Sequence, residues 1–333
     1  MAVGGLREEH RTLGGVVAAV GDTPLVRLER LLPDAGFEVW AKLEALNPGG
    51  SIKDRAALSI LRGALERGEL RPGSTVVESS SGNMAVGLAQ TCRYFGLRLI
   101  CVVDANITAQ NLAILRTFGV ETEVIDRPDP ATGQYLPARL RRVRELLARH
   151  EDAFWPNQYA NLDNSRAHYD TMREIVAALD GRVDYLFCAT GTCGTLRGCA
   201  DYIREQGLST RVVAVDAVGS VIFGTPPGPR LIPGHGAGVR PAMMEDRLAD
   251  QVIHVDDLAC VMGCRRLVHR EGLLAGGSSG ALVSALEILS ARIPDGSSCV
   301  LVLPDRGERY LETIFNDAWV AANLGGLPAL ETG

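Results

Sequence analysis

No apolar run in this chain approaches the roughly 18 residues that a membrane-spanning helix requires, so nothing points to a membrane. Positive charge is also in short supply. The chain carries 34 Lys and Arg against 40 Asp and Glu, a formal net charge of -6, and a nucleic-acid partner would call for a strongly basic face. The opening MAVGGLREEHRTLGG lacks the apolar core of a secretion signal, so a cytoplasmic location is expected. There is no disulfide framework: the eight cysteines (Cys92, Cys101, Cys188, Cys193, Cys199, Cys260, Cys264 and Cys299) are scattered through apparent strands and helices, where a reduced thiol acts as a small apolar side chain. Cys260 and Cys264 share one helical face, but no histidine or second thiol pair stands at zinc-finger spacing nearby, so buried thiols and no metal are expected. Internal repeats and low-complexity tracts are missing too.

What is present is the composition of an ordinary globular enzyme, with 46% apolar and 22% charged residues in 333, enough for two lobes. Short β-rich runs alternate with helical stretches, the pattern of parallel sheets covered by helices. STVVES (74–79), LRLICVVD (97–104) and VETEVID (120–126) read as one series, with helices starting near Gly82 and Thr108. VDYLFCAT (183–190), RVVAVDA (211–217), QVIHVDD (251–257) and SCVLVLPD (298–305) read as a second, which FEVWAKLE (37–44) joins. ARLRRVRELLARH (138–150) has apolar residues at helical spacing and reads as a solvated amphipathic helix rather than an anion site. Glycine and proline exclude regular structure from 219 to 241, and long ordered loops of this kind often serve a site.

Three glycine- or serine-rich turns fall where strands give way to helices or just before a helix, and such ends are where open α/β sheets bind ligands. ATGTCGTLRG (189–198) can aim the N–H groups of Gly191, Thr192, Cys193, Gly194 and Thr195 at an anion. It is not a Walker loop, because no Lys-Ser or Lys-Thr pair follows the glycines. ESSSGNMAVG (78–87) and AGGSSGALVSAL (275–286) carry hydroxyls and an amide that either bind a ligand or cap a helix. A fourth segment, NPGGSIKDRAAL (47–58), sets a single lysine, Lys53, between a glycine pair and a helix-forming run. Jointly these pieces suit a cofactor with one phosphate, one ring and one reactive carbonyl. Pyridoxal phosphate needs an anion cup, a Schiff-base lysine and a polar partner for its ring nitrogen.

The ordered series GDTPLVRL, NPGGSIKDR, SSSGNMAVG, NQYANLDN, GTCGT, GPRLIPGHGAG, GGSSGA and PDRGERY resembles the cysteine synthase and cystathionine β-synthase family of pyridoxal-phosphate enzymes, over roughly 21–315. The resemblance implies an α/β, two-lobed tryptophan-synthase-β-like fold (fold type II), each lobe a mostly parallel sheet flanked by helices. It implies a homodimer, a large cofactor-binding domain made of 1–48 and 157–333, and a smaller mobile substrate domain at 49–156. It assigns Lys53 to the cofactor Schiff base and Asn83 to the ring hydroxyl. Residues Gly191 to Thr195 fall to the phosphate, and Ser278 to the pyridine nitrogen. A neutral serine does not hold that nitrogen protonated, which favours rapid loss of a β-substituent.

The substrate carboxylate is expected at Ser80, Ser81, Gly82, Asn83 and Met84, with Gln158. Where cysteine synthases usually place threonine and glycine after the loop asparagine, this chain has Met84 and Ala85, which leaves only a backbone N–H at position 84. Within the family, SSSGNMAVGLAQ, TCGTLRGCA and PDRGERY look most like the branch that joins O-phospho-L-serine to L-glutamate, giving N-(2-amino-2-carboxyethyl)-L-glutamate, a precursor of L-2,3-diaminopropionate in siderophore and antibiotic pathways. The expected chemistry is a ping-pong β-replacement with Lys53 as general base at Cα. Cations for phosphate and dicarboxylate are sought in Arg230 and Arg240, then Arg197 and Arg306. Tyr159 either reaches a phosphate oxygen or packs against the cofactor lobe, and His235 is expected to stabilise its loop through a hydrogen bond. The alternatives are a cysteine synthase, that is an O-phosphoserine or O-acetylserine sulfhydrylase, and an inactive scaffold. Retention of Lys53 speaks against the scaffold.

Overall fold

The two strand series form two separate sheets in the computed structural model, which describes residues 13–327 apart from Asn106 and Thr132. The first twelve residues, where a secretion signal was sought, and the last six of the expected large domain lie outside the described residues. In chain order the first elements are β1 (Leu25–Arg27), β2 (Glu38–Leu43), α1 (Lys53–Glu66), β3 (Thr75–Glu78), α2 (Asn83–Phe95), β4 (Arg98–Asp104), α3 (Ala109–Thr117), β5 (Glu121–Ile125), α4 (Tyr135–Arg149) and β6 (Ala153–Phe154). There follow α5 (Leu162–Ala178), β7 (Tyr185–Ala189), α6 (Gly194–Glu205), β8 (Arg211–Ala217), β9 (Gln251–Val255), α7 (Asp257–Glu271), α8 (Gly277–Leu289), β10 (Ser298–Leu303) and α9 (Asp317–Leu324). Every strand read from the sequence is present within two residues of its expected ends.

The larger sheet has six strands in the order β1-β2-β10-β7-β8-β9, parallel except for β1, which pairs antiparallel with β2. The smaller has four, β5-β4-β3-β6, all parallel. Strand alternation sorts side chains to the two faces. On β10, Cys299, Leu301 and Leu303 pack with α7 and α8, while Val300 and Val302 pack with α5 and α6. In the smaller sheet, Val76, Leu99, Cys101 and Val103 meet α1 and α2, and Val77, Ile100 and Val102 meet α4. Covered on both faces, these strands are nearly all apolar, as parallel sheets require. All eight cysteines are buried free thiols. Among the described residues no group of His, Cys, Asp and Glu is placed to hold a metal ion, and no helix is long and apolar enough to cross a membrane.

Helix α1 lies between the sheets. Ala56, Ala57, Ile60, Leu61 and Ala64 belong to the core of the smaller sheet, and α1 also packs on α5. Residues 218–250 contain no regular element, as the glycines and prolines imply.

Candidate active site

Lys53 is the first residue of α1, and the segment before it is stitched to the end of β10. Ile52 N–H donates to the Pro304 carbonyl at 2.8 Å, Arg306 N–H to Gly50 O at 3.3 Å, and Ser51 bridges Asp305. Gly50 has a φ of +85°, a left-handed turn that glycine adopts without a steric penalty. The carboxylate of Asp54 accepts from Gly49 N–H. These contacts fix where the amine emerges. Burial lowers the pKa of Lys53, against the opposing influence of Asp305 and Cys193, so more of the amine is free base and nucleophilic than in water.

Around that amine three helix starts converge. Helix α6 begins at Gly194, where first-turn N–H groups have no intrahelical acceptor and the dipole favours an anion. Thr192 and Cys193 line the turn, with Cys193 in left-handed conformation at φ 63°. A side chain on Gly194 would strike Asn164, whose amide atoms lie 2.4–2.8 Å from the position of a Cβ. Glycine is therefore needed there for the start of α6 to pack against Asn164 of α5. Thr195 faces His168 at 3.4 Å. At the start of α8, Ser278 is 8% exposed and Ser279 Oγ is buried without a partner among the described residues. At the start of α2, Asn83 Nδ2 donates to Asp305 Oδ2 at 2.7 Å, while Arg309 donates to Asn83 Oδ1. Tyr310 O–H donates to the same Asp305 oxygen at 2.5 Å, and Asp305 Oδ1 has no partner among the described residues. Burial raises the Asp305 pKa against these donors and Arg309. Both ends of the Asn83 amide are therefore already engaged inside the protein.

Loop 79–83 and the turn at Gln158 complete the cleft. Ser80 is 7% and Gln158 6% exposed, and Asn164 Nδ2 holds the Gln158 carbonyl at 2.7 Å and reaches Thr192 Oγ1 at 3.3 Å. Ser81 lends its carbonyl to Asn111. Met84, 2% exposed, turns into the core of the smaller sheet, so position 84 offers its N–H alone. Tyr159 has its pKa raised by burial, with the charges of Arg139, Glu78 and Arg230 and the Cys193 thiol acting on it; Cys193 in turn acts on Lys53. Arg230 Nη1 reaches the His235 carbonyl at 3.4 Å, while its Nε has no partner among the described residues.

The other arginines singled out from the sequence are engaged elsewhere. Arg240 pairs with exposed Asp246, Arg197 with Asp201 and Glu245, and Arg306 donates to Ala45 O. The expectation for His235 needs correction: both ring nitrogens lack a hydrogen-bond partner among the described residues, and its burial pushes the pKa down to about 4. Its loop is held instead through the main chain, by Arg230 on His235 O and by Gly236 N–H on Thr190 O at 2.8 Å. Helix α4 is amphipathic as read, but Arg139 turns inward, 3.3 Å from Asp104.

Sequence reasoning passed over Asp305, Glu78 and Arg139. The first two stand at the carboxyl ends of β10 and β3, a positional signal that would have found them. Arg139 gave none. Behind α1, away from the cleft, Arg55 binds Glu44 and Glu174 at 2.7 Å each, and Lys42 binds Glu174 at 2.6 Å. Thr23 and Asn47 add hydrogen bonds to Glu44.

A lysine amine of lowered pKa, a glycine turn at a helix start and hydroxyls at two further helix starts are the parts a phosphorylated-ring-cofactor enzyme requires. The donor set fits pyridoxal phosphate. The chain belongs to the pyridoxal-phosphate dependent enzymes, whose family profile matches residues 16–305. It is 49% identical over 307 residues (92% of this chain, 90% of the relative) to an N-(2-amino-2-carboxyethyl)-L-glutamate synthase of Ralstonia nicotianae. It is 45% identical to the protein of that name from Cupriavidus metallidurans, covering 95% and 96%. Among solved structures, an O-ureido-L-serine synthase superposes with a TM-score of 0.86 at 31% identity, covering 93% of this chain and all of that one.

Proposed function

We propose that this chain is an N-(2-amino-2-carboxyethyl)-L-glutamate synthase, replacing the phosphate of O-phospho-L-serine by the amine of L-glutamate. Bound pyridoxal phosphate supplies an electron sink that makes the Cα proton acidic and lets a β-substituent leave. Lys53 takes that proton as general base and returns it after the nucleophile has added. Gly191 to Thr195 hold the cofactor phosphate, Ser278 meets the ring nitrogen, and Asn83 serves the ring hydroxyl by exchanging one of its present partners. Ser80 to Met84 and Gln158 receive the substrate carboxylate, with Met84 contributing only N–H.

The observation that carries this reading is Arg230 in the 218–250 loop, a guanidinium whose Nη1 reaches the His235 carbonyl and whose Nε has no partner among the described residues. A dianionic leaving group calls for such donors, whereas acetate does not. We take residues 49–156 as the mobile substrate lobe, and a homodimer in the cytoplasm as the working form. Sulfhydrylase chemistry is the second reading; the inward turn of Met84 weighs against it, since no hydroxyl faces the substrate at that position.

Mass analysis of products formed from phosphoserine with glutamate, and separately with sulfide, tests the assignment. The glutamate adduct with stoichiometric phosphate is expected, and cysteine as the sole product would refute it. Borohydride reduction followed by peptide mapping should find the cofactor on Lys53.

A further inference from the structure

Glu78 ends β3, and its side chain is 2% exposed. Ser79 N–H donates to its Oε1 at 2.7 Å and Trp155 Nε1–H to the same oxygen at 3.2 Å; Gln158 N–H reaches Oε2 at 3.4 Å, and Asn157 N–H also donates. Every direct partner is a neutral N–H. Three of them, Trp155, Asn157 and Gln158, stand in the segment that follows β6, the parallel neighbour of β3, and Ser79 opens the loop that leads to Asn83. The carboxylate therefore joins the ends of two adjacent strands at the side of the sheet where ligands bind. Asn157, in that segment, has a φ of 44°, a conformation held by its surroundings. From the opposite side Asn164 grips the Gln158 carbonyl at 2.7 Å.

We propose that Glu78 is a positioning residue for amino-acid substrates: ionised, it draws the Ser79–Asn83 loop and the Asn157–Tyr159 turn together, so that both halves of the carboxylate-binding site face the ligand. This rests on the reading of Ser80 to Met84 and Gln158 as the seat of the substrate carboxylate. Only the anion can accept from every donor at once, because a protonated oxygen would present its own O–H to an N–H. Burial raises the pKa of this carboxyl to about 7 against those same donors. The titratable groups facing it are the Cys101 thiol on β4 and the Tyr159 hydroxyl on the turn, both with raised pKa, and Arg139 stands beyond Tyr159. Neither facing group loses its proton near neutrality; Asp54, beside Lys53, is itself raised to about 6 by burial, so it is the loss of the transition in Glu78→Gln that assigns it to Glu78.

The test uses holoenzyme and two ligands. L-Alanine has no leaving group, and its binding is followed by the change in cofactor absorbance; phosphoserine is followed by turnover. In the wild type, affinity for L-alanine and the reciprocal KM for phosphoserine are expected to rise together between about pH 6 and about pH 8. Glu78→Gln places an NH2 against N–H donors. It should weaken L-alanine at the upper pH by at least about tenfold and abolish the pH dependence, with the cofactor retained and kcat changed less than KM. Trp155→Phe removes one donor and keeps the charge, so it should weaken L-alanine by a few-fold without moving the transition, and it carries the test if the glutamine variant does not fold. Wild-type affinity in either variant, or a pH transition that persists in Glu78→Gln, overturns the proposal. An enzyme that binds L-alanine with this pH profile but ignores phosphoserine would overturn the proposed substrate and leave the role of Glu78 standing.

Discussion

Glu78 is buried and Glu174 half-buried, yet the second is held down to about 2 while the first is pushed up to about 7. Burial raises both. At Glu174 the hydrogen bonds and charges of Arg55 and Lys42 outweigh it, whereas Glu78 meets only neutral donors and burial wins. Behind α1, two cations and two anions from β2, α1, α5 and the segment after β2 cancel one another. In front of it, Lys53 has a depressed pKa, and Asp305 Oδ1, Ser79 Oγ, Ser279 Oγ and the His235 ring lack partners among the described residues. A few residues of one helix thus separate a saturated frame from an under-partnered cleft. Buried polar atoms without partners cost stability, and they persist where a ligand supplies the missing bond.

The comparison breaks most completely at its two lysine-bearing ends. Lys53→Ala should abolish the visible absorbance and lower turnover by at least about 10^3-fold, while urea unfolding of the apoprotein stays near wild type because the ion pairs behind α1 are intact. Glu174→Gln should do the converse, leaving Lys42 and Arg55 with Glu44 alone. A loss of about 3–5 kcal/mol in urea unfolding at neutral pH is expected, with the pH profile of substrate binding unmoved.

Linkage sharpens the contrast further. The folded pKa of Glu174 lies below its ordinary 4.5, so its contribution to stability is present above 4.5 and is lost as pH falls through about 2. Glu78 has the opposite sign: its contribution is present below 4.5 and is lost as pH rises through about 7. Each amounts to something on the order of 3 kcal/mol. Stability curves should therefore lose their acid limb in Glu174→Gln and their fall between 4.5 and 7 in Glu78→Gln; two variants with the same curve would refute the assignment. The smallest effect is expected at Arg230→Met, where kcat/KM for phosphoserine should drop about tenfold. The loss with O-acetylserine should be smaller, and equal losses would remove Arg230 from the phosphate site.

The strands of both sheets were legible because parallel strands covered on both faces write themselves as short apolar runs, of which β10, SCVLVL, is buried throughout. Two were not: β1 has three residues and β6 only two, and their pairing with β2 and β3 makes them strands. Lys53 and the glycine turns stood out in the sequence because the pattern that marks them is local. The Lys42–Glu174 pair spans 132 residues and Arg55–Glu174 119, so neither leaves a mark in any window of sequence. Arg139 was hidden in a helix whose pattern is that of a solvated face, and one inward residue does not disturb that period. Asp305 lay in plain view within PDRGERY, and only its packing under Asn83 and Tyr310 shows what it touches.

The thioether of Met84 has an engineering consequence. Because it fills the hydrophobic interior beneath α2, rewriting that position as threonine, the step one would try first toward a sulfide-using catalyst, would excavate a void and bury an alcohol among Ala57, Leu88 and their neighbours. Laboratory evolution between the two activities would have to cross a fragile ancestor unless a compensating larger residue arrives beforehand, and screens for such converts should be run at low temperature.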